Sequence, residues 1–158
     1  MKHLPKHVRP RWRYLGVGIE SWPDARIDRR AFQRDLWYAA QNLLGDVGSA
    51  AIDGTVYGFT FEAGVGDAVV RVRRGEVERA RAALACLDRV DGHPVRVTVR
   101  GVSGTVRACE ESYIHRPLES TDEKRVEFED SDRTALARGG RVDVRVGDGF
   151  AGATDYDC

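Results

Sequence analysis

Trp12-Arg13-Tyr14-Leu15-Gly16-Val17-Gly18-Ile19-Glu20 alternates with period two, Leu15, Val17 and Ile19 falling on one side and Trp12, Tyr14, Gly16 and Gly18 on the other. That period is strand geometry, and the stretch predicts a first strand over residues 12–20. Its approach is unusual for a strand that only has to fold. Arg9, Arg11 and Arg13 alternate with a proline and an aromatic, and no acidic residue precedes Glu20. Guanidinium groups grip phosphate oxygens and stack on planar rings, so the segment points to an anionic partner, nucleic acid above all.

Working outward, Asp28 is placed to cap a helix carrying Phe32, Leu36, Ala39, Ala40, Leu43 and Leu44 at helical spacing, with a stop expected near Gly45. Thr55 to Glu62 alternates as a strand with Tyr57, Phe59 and Phe61 expected on the core side. Gly64-Val65-Gly66 turns the chain into a third strand, Asp67 to Arg74. A second helix follows from Gly75 with Val77, Ala80, Leu84 and Leu87 inward. Pro94 then opens a fourth strand, with Val95, Val97 and Val99 inward and Arg96, Thr98 and Arg100 outward. Val102, Val106, Cys109 and Tyr113 make one stripe of a short terminal helix that Ser103 could cap.

The order β-α-β-β-α-β plus a helix is the split βαβ pattern of an α+β, ferredoxin-like fold with a four-stranded antiparallel sheet. Both helices then cover one face. The open face would collect Trp12, Tyr14, Gly16, Gly18, Arg71, Arg73, Arg96, Thr98 and Arg100. Solvent is the ordinary occupant of such a face. Glycines weaken a strand unless something approaches its backbone, which favours a partner surface here.

The charge is unevenly spread. Residues 1–116 carry 19 Lys and Arg against 14 Asp and Glu, and residues 117–158 carry 6 against 11. The chain divides on this reading into a basic arm (1–10), a ferredoxin-like domain (11–116) and an acidic, disordered tail (117–158). Val142-Asp143-Val144-Arg145-Val146 alternates like a strand but is expected to find no sheet there. Only three of the 25 basic residues are lysine. A GC-rich genome or a salty cytosol is the ordinary explanation, and selection of arginine for phosphate recognition applies at most at particular positions.

Cys86, Cys109 and Cys158 form no CxxC, arguing against a zinc module or disulfide scaffold and for a reducing cytoplasm. No apolar run approaches membrane-spanning length. His3, His7, His93 and His115 belong to no recognisable triad or metal motif, and Glu110 and Glu111 point apart on a helix. No catalytic residue, metal site or bound cofactor is expected. Tyr57-Gly58-Phe59-Thr60-Phe61 is superficially like an RNA-recognition signature, yet it lies on the wrong strand with its rings inward. Gly101-Val102-Ser103-Gly104-Thr105 could hold a phosphate on backbone amides or could be ordinary helix capping.

Several segments together resemble a known family. Arg11, Arg13, Tyr14 and Leu15, then Gln41-Asn42-Leu43-Leu44-Gly45, Arg73-Arg74-Gly75, and Gly101-Val102-Ser103-Gly104-Thr105-Val106-Arg107-Ala108-Cys109-Glu110 occur in the order seen in the ribonuclease P protein component 2 family, archaeal with eukaryotic relatives. The resemblance spans roughly residues 9–115 and leaves the acidic tail outside. It implies a non-catalytic protein subunit of the ribonucleoprotein endonuclease that removes 5′ leaders from precursor tRNA. It further implies hydrolysis by the ribonuclease P RNA with Mg²⁺, and pairing with component 3. RNA contacts are then expected from Arg9, Arg11, Trp12, Arg13 and Tyr14. Arg71, Arg73, Arg96 and Arg100 form either a second RNA surface or part of a protein contact, and Ser103, Thr105 and Arg107 a third RNA set at the start of the terminal helix. A generic ferredoxin-like RNA-binding module outside ribonuclease P, and a protein-interaction or regulatory domain on the same fold, are the alternatives.

Overall fold

The computed structural model describes residues 11–114 and 121–153. The chain separates into two compact units, Met1–His115 and Arg116–Cys158.

The first unit is a mixed α+β domain. Strands β1 (Trp12–Glu20), β2 (Thr55–Glu62), β3 (Val65–Arg73) and, later in the chain, β6 (Arg96–Ser103) form one antiparallel sheet in the order β2-β3-β1-β6. The helices α1 (Arg29–Ile52) and α2 (Val77–Ala85) supply Phe32, Leu36, Ile52, Ala80 and Leu84 to a core shared with Leu15, Val17, Ile19, Val56, Val70 and Val72. Each of the larger of these side chains removed from water contributes about 1.5–3 kcal/mol. A short hairpin, β4 (Arg89–Val90) and β5 (His93–Pro94), links α2 to β6.

Local chemistry sets the boundaries. Asp28 caps α1 by accepting a hydrogen bond from Ala31 N at 2.8 Å. The helix breaks where the sequence predicts, at Gly45, whose φ of 74° is left-handed. Contrary to the expected stop, the chain resumes helical geometry beyond it and ends at Ile52, with Asp53 in the left-handed region.

Two one-residue bulges modify the ladder. Val56 pairs with Val70 but Gly58 pairs with Val69, so Tyr57 is an extra residue on β2. The core-side placement of Tyr57 is therefore corrected: Val56 turns inward, and Tyr57 is 48 % exposed. On β6, Gly16 pairs with Gly101 and Val17 with Val99, which leaves Arg100 as the extra residue.

The outer face is partly roofed by the chain itself. Helix α3 (Val106–Cys109) continues as a π-helical turn, Glu110–Ile114, over β1, β3 and β6. Its cap is Thr105, whose Oγ1 accepts from Ala108 N at 3.1 Å. Ser103, expected in that role, is instead the last residue of β6.

The second unit overturns the expectation of a disordered tail. Strands β7 (Thr121–Phe128), β8 (Ser131–Arg138), β9 (Arg141–Val146) and β10 (Gly149–Ala153) form an antiparallel sheet in sequence order. Val126, Ala135, Val142 and Val144 are its core. Composition misled because these strands need no long apolar run. Two-residue turns join each pair: Glu129-Asp130, with φ of 50° and 60°, Gly139-Gly140, and Gly147-Asp148. Consecutive pairing across such turns closes only short loops.

Candidate RNA interface

The alternation of β1 sends Trp12 and Tyr14 outward, and the register sets them opposite Arg73 and Arg71 of β3. The bulge adds Tyr57 from β2. Arg71 is the hub of this group. Its guanidinium carbon lies 3.8 Å from the centre of the Trp12 ring and 5.0 Å from that of Tyr57. A second nitrogen contact ties the group together, since Arg71 Nη1 donates to Tyr57 Oη at 2.8 Å. The buried Nε of Arg71 has no hydrogen-bond partner. Arg73 stands 4.6 Å from the Trp12 ring and pairs with Asp53 at 3.2 Å. Tyr14 meets Tyr57 edge-on at 6.0 Å. Cation–π contacts of this kind contribute about 0.5–2 kcal/mol each. They also hold rings and guanidinium planes in place.

Around this cluster the cations outnumber their carboxylates. Among the described residues Arg11, Arg13, Arg71 and Arg74 enter no ion pair. The guanidinium of Arg13 donates to Trp12 O at 2.9 Å, and Arg11 O accepts from Arg74 N at 3.0 Å, which fastens the start of β1 to the end of β3. Arg9 lies outside the described residues.

Elsewhere the sequence-predicted arginines are already engaged. Arg96 binds Glu20 at 3.1 Å, and Arg107 binds Glu111 at 2.9 Å one helical turn away. Arg100 pairs with Asp67 and donates to Tyr113 O at 2.9 Å. The Arg107 pair is highly exposed and therefore weak. The structure thus brings Trp12, Tyr14, Arg71 and Arg73 together and sets Arg96 and Arg100 apart, at the neutralised part of the sheet. Ser103 pairs with Tyr14 across β1 and β6, while Thr105 is occupied in capping.

The outer-face glycines have an internal explanation. A Cβ on Gly16 would come within 2.5 Å of Tyr113, and one on Gly101 within 2.1 Å of its ring. One on Gly18 would meet the Arg100 guanidinium at 2.7 Å. The close approach inferred from the sequence is made by the chain's own terminal helix and an arginine. Tyr57 is the residue missed by sequence reasoning, and Gly58 was its signal, because an isolated glycine inside a strand marks a bulge.

Burial, helped by the neighbouring Glu110 charge, pushes the Cys109 thiol up to about 11. Cys86 is exposed. No group of three or more His, Cys, Asp or Glu among the described residues could hold a metal ion. No helix among them is long and apolar enough to cross a membrane.

An α+β domain with guanidinium groups and rings gathered at one end of its sheet carries chemistry suited to RNA: cations for phosphates, planes for bases. The chain belongs to the Rpp14/Pop5 family, which matches residues 13–114. It is 66 % identical to the ribonuclease P protein component 2 of Natronomonas pharaonis, covering 99 % of this chain and 98 % of that one. The same component of Haloarcula marismortui is 62 % identical, with 99 % of each chain covered. That of Methanosarcina mazei is 35 % identical over 72 % of this chain and 93 % of its own. Among solved structures, a chain of yeast ribonuclease MRP aligns with a TM-score of 0.48 at 19 % identity, covering 73 % of this chain and 83 % of that one.

Proposed function

We propose that this chain is a protein subunit of ribonuclease P that grips the catalytic RNA at the open end of its sheet and leaves hydrolysis to that RNA. Its near full-length similarity to ribonuclease P protein component 2 carries the assignment. The holoenzyme is an endoribonuclease that removes 5′ leaders from precursor tRNA. In this reading Arg11, Arg13 and Arg71 neutralise crowded phosphates, with Arg9 extending the grip along the arm. Trp12 stiffens Arg71 and Arg73 by stacking, and Tyr14 braces the Tyr57 ring edge-on. Neutralising phosphates releases counterions and lets RNA helices approach one another. Mg²⁺ belongs to the RNA, and this chain brings no cofactor of its own.

The strand order β2-β3-β1-β6, with α1 and α2 sharing one core, supports a ferredoxin-like arrangement for residues 11–116. Component 3 is the protein neighbour we assign to it, and the scattered cysteines support the cytoplasm as its place. Reconstitution tests the reading directly. Adding this chain together with component 3 to the cognate ribonuclease P RNA should permit precursor-tRNA cleavage at Mg²⁺ concentrations where the RNA alone is inactive. Unchanged cleavage would sink the assignment.

A further inference from the structure

We infer that Tyr57 is a stacking seat for one unpaired RNA base, flanked by Arg71 and Arg73 for the adjoining phosphates. The inference rests on the RNA-gripping reading above and deepens it by naming the recognised moiety and the residue that takes it.

Three observations converge. First, Tyr57 is on the outer face only because a bulge interrupts the pairing between Val56 and Gly58. The bulge leaves 48 % of an aromatic residue exposed beside the arginine cluster. Second, the ring is held from two directions. Tyr14 meets it edge-on at an interplanar angle of 77°, and Arg71 donates to its hydroxyl at 2.8 Å. A ring fixed before binding loses little freedom when a base settles on it. Third, Arg71 carries a positive charge that no carboxylate among the described residues balances, and its buried Nε has no partner.

The ligand follows from that chemistry. A flat, exposed ring selects a flat partner, and the surrounding guanidinium groups select one joined to phosphates. Bases within a duplex are already stacked and shield their faces, so the partner is single-stranded or bulged RNA.

The test uses the full chain and a roughly 12-nucleotide single-stranded RNA with a central 2-aminopurine, whose fluorescence falls on stacking. Binding should quench the probe, and the same strand annealed to its complement should bind more weakly. Tyr57→Phe should keep the quenching. Tyr57→Leu should abolish it and weaken binding about tenfold. Urea midpoints for all three proteins, with both variants close to the parent, would exclude misfolding as the cause. If the parent binds no RNA at moderate salt, the RNA-gripping reading itself fails. If the parent binds and Tyr57→Leu matches it in affinity and quenching, the stacking seat is wrong while the gripping reading stands. Loss of component 3 binding in Tyr57→Leu with RNA binding intact would overturn the inference in favour of a protein contact.

Discussion

Tyr113 lies where a side chain on Gly101 would stand: a Cβ there would come within 2.1 Å of the Tyr113 ring. The terminal helix and the middle of the sheet are therefore fitted to each other through a missing side chain.

Gly101→Ala should thus displace the ring and destabilise the first unit by about 1–3 kcal/mol, as overpacking does. The shift will be read as a lower urea midpoint. In a double-mutant cycle with Tyr113→Ala the two effects should not add, because the alanine at position 101 then meets an emptied space. Additive losses would mean that the ring is not what the glycine accommodates.

The arginines divide into free and engaged sets, and salt should distinguish them. Replacing Arg11 and Arg13 together with alanine should lower the slope of log binding constant against log salt by about one to two. Arg96, bound to Glu20 at 3.1 Å, should leave the slope unchanged when replaced by alanine. Equal effects from both variants would erase the division.

Much of this was legible in the sequence. Period-two alternation marked Trp12–Glu20 as a strand, Asp28 and Gly45 marked where a helix starts and breaks, and Gly16 marked a close approach. The bulge at Tyr57 had Gly58 as its only sign, outweighed by Tyr57, Phe59 and Phe61, which alternate as smoothly in sequence as a regular strand would. What closes on Gly16 was hidden, since Tyr113 is distant in the chain and only the fold brings it there. The segment 121–153 was misjudged by weighing its charge rather than its turns. Its two-residue loops and the alternation around Val144 were the better guide.

In that second unit Arg138 and Asp143 are both nearly inaccessible, with their charges 3.8 Å apart. Asp143→Ala would remove a counter-charge from a buried cation, at about 3 kcal/mol. Amide exchange at Leu136 and Val144 will report it: slow in the parent, faster in the variant. Exchange in the parent as fast as in an unstructured peptide would contradict the sheet.

Burial raises the Cys109 thiol from 9.0 to about 11. The folded protein keeps that proton after the unfolded chain has begun to lose it. Its contribution to stability is therefore intact below about pH 9 and declines as pH rises through about 11. At pH 8 iodoacetamide should label exposed Cys86 and spare Cys109 until the protein is unfolded, as site-resolved mass spectrometry would detect.

The bulge on β2 has a consequence for how this surface can vary. Deleting Tyr57 would leave Val56 facing Val70 and Gly58 facing Val69 in an uninterrupted ladder, with the inward residues on either side unmoved. The sheet's own pairing has no use for that position. Tyr57 is a spare residue, a place where the chain can gain or lose a contact with the outside world while the architecture beneath it stays the same.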